Sequence, residues 1–100
     1  MESNKQVYVV VEVETIRDQA EFQRYVENYR VAHPRHGGEI VAQSLAPEIV
    51  EGDRRPAGIA IQRRPDLESF YAAYEAEDYK PWRELRHSVA DTNIAVVRAR

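Results

Sequence analysis

The chain contains no cysteine, which excludes disulfides, thiol nucleophiles, Fe–S clusters and cysteine-ligated zinc together. This absence says little about compartment, because an oxidising location requires no cysteine. Glycine is scarce, with four in 100 residues, and none stands in a G-x-G-x-x-G or Walker A arrangement. G-x-S-x-G and H-E-x-x-H are missing as well, so several common enzyme classes are excluded by motif. No run approaches the ~18 apolar residues of a membrane span. Met1 to Gln6 is polar, without the apolar core or cleavage pattern of a secretory signal. A cytoplasmic protein with no membrane partner is the expectation. A net charge of −3 argues against nucleic acid as a partner.

A hydrophobic content of 43% beside 31% charged residues is that of a folded chain rather than a disordered one. The length of 100 residues suits a single domain, 1–100. Val7 to Val13 reads as a strand rich in β-branched residues. Asp18-Gln19-Ala20-Glu21 has capping-box spacing, and Phe22, Tyr25, Val26 and Tyr29 repeat on one helical face until Pro34. A Gly37-Gly38 turn leads into a short strand, Glu39 to Ser44. After Pro47, Glu48 to Glu51 reads as a brief extended piece and Gly52 to Pro56 as a loop. Gly58 to Gln62 is the next strand. Asp66 is the expected N-cap of a helix carrying Leu67, Phe70, Tyr71 and Tyr74. The helix breaks around Glu77-Asp78, and Asp78 is expected to cap a third, with Pro81 in its first turn. Thr92 to Arg98 closes the chain as a strand. The two halves each read as strand plus helix, the split pattern of ferredoxin-like α+β folds, ordered β-α-β-β-α-α-β with an antiparallel sheet.

Alternation along these strands predicts a sheet that is apolar on both faces. Val7, Val9, Val11 and Val13 point one way while Tyr8 and Val10 point the other, and Ile94 and Val96 oppose Ala95 and Val97. Helices cover only one face in this architecture. The simplest cover for the second is the same face of another copy, giving a two-fold homodimer closed into an α/β barrel.

The loop Val50 to Pro56, the segment from Tyr74 through Tyr79 to Arg86, the Gly37-Gly38 turn and the closing Ile94-Ala95-Val96-Val97 strand together resemble the domain-of-unknown-function family 1330. The resemblance covers nearly the whole chain. It implies membership of the dimeric α/β-barrel superfamily and a sheet-to-sheet dimer, but no activity. Where the family shows an aromatic-Tyr-x-Ser run, this chain has Ala73-Tyr74-Glu75-Ala76. Ala76 removes the hydroxyl that could have served as a cap or ligand donor.

Five residues are candidates for a ligand site: Arg54, Tyr74, Tyr79, Arg86 and His36. An arginine grips a carboxylate or enolate in bidentate fashion, and a buried tyrosine donates or accepts a proton. Tyr74 and Tyr79 flank the helix break, where a pocket between sheet and helices would open. The alternatives are aromatic packing for the tyrosines and, for Arg86, a pairing with Glu77, Asp78 or Asp91 that fixes a helix end. His33 and His36, separated by Pro34, have poor spacing for two ligands on one helical face, and His87 is remote. No metal and no cofactor is expected.

The leading expectation is a small dimeric protein binding a small organic molecule between sheet and helices. A cofactor-free monooxygenase- or cyclase-like enzyme and an interaction module without ligand are the alternatives. Inward-pointing Tyr and Arg side chains favour the first two, and side chains splayed on the surface favour the third.

Overall fold

β1 (Val7–Ile16) runs through the interior of the sheet, with a strand paired on either side, where branched side chains fit the pleated surface. The computed structural model describes residues 5–32 and 38–100. α1 (Gln19–Ala32), β2 (Glu39–Ser44), β3 (Gly58–Arg64), α2 (Leu67–Tyr74), α3 (Lys80–Val89) and β4 (Ala90–Arg98) follow. The strands pair in the order β2-β3-β1-β4, antiparallel throughout. This is the ferredoxin-like α+β fold that the element order implies.

Register assigns the two faces, because directly opposed residues point the same way. Val9 stands opposite Gln62 and Val96, and Val11 opposite Ala60 and Ile94. Val7 and Val9 are only 2% and 1% exposed, which identifies this as the face beneath the helices. On the other face Val10 stands opposite Ile61 and Ala95, and Tyr8 opposite Val97. Among the described residues no helix covers that face, and Val97 is 52% exposed. The two-sided apolar sheet read from the sequence is therefore present.

Local chemistry sets the helix ends. The Glu21 amide donates to Asp18 Oδ1 at 3.1 Å and starts α1, but the Glu21 carboxylate turns to Arg24 rather than back to the cap. The Ser69 amide donates to Asp66 Oδ1 at 2.7 Å and starts α2. α3 departs from expectation, since its cap position is Tyr79, with no side-chain cap, rather than Asp78. The backbone supplies the acceptor instead, with the Tyr79 and Lys80 amides donating to the Ala76 carbonyl at 3.0 and 3.1 Å. Pro81 is accommodated in the first turn, where no donor is needed. At the far end, Arg17 Nη2 donates to the His87 carbonyl at 3.0 Å, a cation at a helix C-terminus.

Three further boundaries differ. β1 and β3 extend to Ile16 and Arg64, and β4 begins at Ala90, directly after α3. Glu48 to Glu51 forms no strand; the connection between β2 and β3 runs outside the sheet, with Leu45 and Val50 88% and 89% exposed. Gly52 in that connection has φ +96°, a conformation that side chains disfavour. A Cβ at Gly38 would lie 2.9 Å from Arg64 Cζ, so any larger residue there would push the Arg64 side chain aside. Pro34, His33, His36 and Gly37 lie outside the described residues.

Replacing Asp66 by Ala removes the α2 cap and is expected to cost about 1 kcal/mol. Val9→Ala should cost more, about 1.5–3 kcal/mol, from its place at the most buried point of the sheet. Urea denaturation of both variants checks the order.

Candidate functional site

Between the sheet and the helices lies a layer that is aromatic and polar at once. Tyr25 and Tyr29 are one helical turn apart on α1, so both descend on the sheet. Tyr79 reaches the same layer from the turn before α3, and its hydroxyl stands 2.6 Å from that of Tyr25. Gln62, on the helix-side face of β3, donates to the Tyr29 hydroxyl and accepts from Arg64 Nε at 2.6 Å. Tyr25, Tyr79, Gln62 and Arg64 are all buried. A buried hydroxyl must find a partner, and here each phenol supplies the other's. Burial, then the neighbouring Tyr79, holds the Tyr25 phenol well above the ordinary tyrosine value, and burial raises Tyr79 as well.

Arg86 enters this layer from the last turn of α3 and is 2% exposed. Its Nη1 donates to Thr92 Oγ1 at 2.5 Å, and its Nη2 lies 3.4 Å from the His87 ring nitrogen. The guanidinium sits 5.8 Å from the centre of the Tyr25 ring. Burial works against its charge, and Tyr25, Tyr79 and Tyr74 more than offset that, so its proton affinity rises above the ordinary arginine value. Burial and then Arg86 push the neighbouring His87 down, which keeps that imidazole neutral at pH 7. The Arg86 Nε–H is buried and has no acceptor among the described residues. Asp91, a partner considered from the sequence, pairs with Arg17 at 2.7 Å instead.

A cleft of about 450 Å³ opens beside this layer, between α2 and β4. Leu67, Phe70, Tyr71 and Tyr74 form its helical wall, and Ile94 and Val96 its floor. The stripe at 67, 70, 71 and 74 places all four on one side of α2, and alternation along β4 turns 94 and 96 toward them. Tyr74 is also a neighbour of Tyr79, with ring centres 6.2 Å apart. Arg83 lies over the Tyr74 ring at 4.8 Å and donates to the Tyr74 carbonyl at 2.5 Å. Neither arginine lines the cleft, but both reach its wall residue Tyr74: Arg83 over the ring and Arg86 at the hydroxyl.

Three of the five candidates, Tyr74, Tyr79 and Arg86, come together here. Arg54 does not. It pairs with Glu12 and, at 3.5 Å, with Glu14, and Glu12 lies on the opposite, helix-free face of the sheet. Asn93 joins that cluster by donating to Glu12 at 3.2 Å. His36 lies outside the described residues. Among the described residues, no three His, Asp or Glu side chains converge as metal ligands, and no helix is long and apolar enough to cross a membrane. Tyr25, Tyr29, Gln62, Arg64 and Arg83 were not among the candidates. Arg83 was open to detection, because it precedes Arg86 by three residues and therefore shares its helical face.

Tyr79→Phe leaves the Tyr25 hydroxyl buried without its partner and is expected to cost about 1–3 kcal/mol in urea denaturation. The two raised phenols also fix a pH dependence. Their stabilisation is complete below pH ~10, the unfolded tyrosine value, and is lost as pH rises through the higher folded values. The melting temperature of the wild type should therefore fall more steeply above pH ~10 than that of the Tyr25→Phe/Tyr79→Phe double variant.

Comparison with known proteins places this geometry in context. A protein of unknown function from Rhodopseudomonas palustris superposes with a TM-score of 0.82 at 13% identity, over 98% of this chain and 85% of the other. SnoaB, a cofactor-independent oxygenase from Streptomyces nogalater, superposes at 0.66 with 18% identity, over 96% and 94%. A dimeric ferredoxin-like protein of unknown function from Thermobifida fusca gives 0.61 at 9% identity, over 94% and 91%. At these identities the likeness establishes the fold. No curated protein matches the chain. The family model described as a domain of unknown function, DUF1330, matches residues 6–100, and the chain belongs to that family.

Proposed function

We propose that this protein is a homodimer, joined through the open faces of two sheets, in which each protomer binds a small apolar organic molecule in the cleft between α2 and β4. The cleft carries this reading. Its volume of about 450 Å³ falls in the usual range for ligand pockets, roughly 300–1,000 Å³. Its walls are aliphatic and aromatic, and the hydroxyls of Tyr71 and Tyr74 are the polar side-chain groups among its lining residues. Tyr79 and Arg86 are too deeply buried to be displayed to a protein partner, at 9% and 2% exposure, which counts against an interaction module.

The dimer is supported by the uncovered sheet face. Val10, Ile61, Ala95 and Val97 share it, and Leu45 and Val50 project from the β2–β3 connection into water. A second copy removes such a surface from solvent. The Thermobifida fusca protein, of the same fold, is dimeric.

An enzyme acting without a cofactor is the second reading, favoured by the chemistry at Tyr74. A cationic guanidinium stabilises an enolate or phenolate as it forms, and the half-buried Tyr74 hydroxyl is a hydrogen-bond donor within the cleft. SnoaB, a cofactor-independent oxygenase, shares the fold.

N-phenyl-1-naphthylamine, an uncharged probe that fluoresces in apolar pockets, is expected to bind the wild type saturably. Ile94→Trp, which fills the cleft floor, should abolish the signal while the circular dichroism stays unchanged. An equal response from both proteins would place the probe elsewhere and overturn the cleft assignment. Light scattering should give twice the chain mass for the wild type and the chain mass for Ile61→Glu/Val97→Glu. A monomeric wild type would overturn the dimer.

A further inference from the structure

Behind Tyr74, a wall residue of the cleft, stands positive charge that no carboxylate of the described residues balances. The ion pairs of the described residues use Arg17, Arg24, Arg54 and Arg63; neither Arg83 nor Arg86 has a carboxylate. The partners of Arg86 among the described residues carry no negative charge: the Thr92 hydroxyl, the His87 ring and the hydroxyls of Tyr74 and Tyr79, while its Nε–H is buried without an acceptor among them. Arg83 spends one donor on the Tyr74 carbonyl. The surrounding tyrosines favour the guanidinium, but Tyr25 and Tyr79, held above the ordinary tyrosine value, are neutral at pH 7 and supply no counter-charge, and a buried unpaired donor is itself costly. Such an arrangement is retained where something else supplies the acceptor.

We infer that the cleft is built for an organic anion, a flat apolar molecule bearing one carboxylate, phenolate or enolate oxygen. Its hydrocarbon body lies against Phe70, Ile94 and Val96. Its charged oxygen sits at the Tyr74 end, taking a hydrogen bond from that hydroxyl, which is itself hydrogen-bonded to the Arg86 guanidinium that provides the charge. Hydrogen bonds to ionised groups are about twice as strong as neutral ones, and low local polarity strengthens them further. The same apolar body without the charge therefore binds by its hydrophobic part alone. This inference rests on the cleft being a ligand site and goes beyond it by naming the class of ligand.

The matched pair 2-naphthoate and 2-naphthamide, measured by calorimetry on the full chain, separates the two claims. The expected result is binding of naphthoate about tenfold or more tighter than naphthamide by the wild type. That preference should survive 0.5 M salt, because a buried pair is screened far less than an exposed one. Arg86→Gln should erase it and leave naphthamide affinity as it was. Equal affinities in the wild type would overturn the anion inference and leave the cleft reading standing. A preference that disappears at high salt, or that persists in Arg86→Gln, would equally overturn it. Binding of neither compound at millimolar concentration would overturn both claims. The salt series uses only the wild type, so the test stands even where Arg86→Gln fails to fold.

Discussion

The rest of the structure depends on a sheet that is apolar on both faces. Val7 and Val9 face the helices and Val10 faces away, with Ile61 and Ala95 beside it. A strand of that kind cannot lie with one side in water at no cost, and the chain has helices enough for one side only. Its own α1, α2 and α3 cover the first face, and that layer encloses the polar and aromatic side chains. A second copy is the natural cover for the other. One constraint in the sheet thus separates the molecule into a site-bearing side and an assembly side.

The site-bearing side is unusual in what it buries. Cores are ordinarily filled with aliphatic side chains, yet here Tyr25, Tyr79, Gln62, Arg64 and Arg86 lie within the layer. Tyrosines suit such a place because each brings a large apolar ring and one polar atom, and the rings around Arg86 lower the cost of its charge through their faces. What they do not provide is an anion. The open apolar cleft next to that cation is the combination on which the account of function rests.

Much of this was legible in the chain. The β-branched run at Val7 to Val13, the caps Asp18 and Asp66, and the alternation of Ile94 to Val97 point directly to the elements found. Tyr74, Tyr79 and Arg86 could be grouped because a helix break brings the first two together and α3 carries the third back. Arg54 could not be excluded in the same way. Its position follows from β1 register, which sends Glu12 to the far face and draws Arg54 after it, and pairing register is a tertiary property. The Asp78 cap failed for a related reason, since the backbone of a tight turn supplied the acceptors that a side chain would otherwise have given. Gln62 and Arg64 gave no sign of burial, because polar residues near the end of a strand ordinarily face water; their hydrogen bonds to each other and to Tyr29 help make the buried position tolerable.

The most direct test of the central claim is the nitrogen–proton NMR correlation of the Arg86 Nε–H, followed while an apolar organic acid is titrated into the wild-type protein. The account predicts that this resonance and the methyl signals of Ile94 and Val96 shift together and saturate at the same ligand concentration. Methyl shifts with an unmoved Arg86 Nε–H would contradict it, because a cleft that fills without engaging its buried cation is not an anion site.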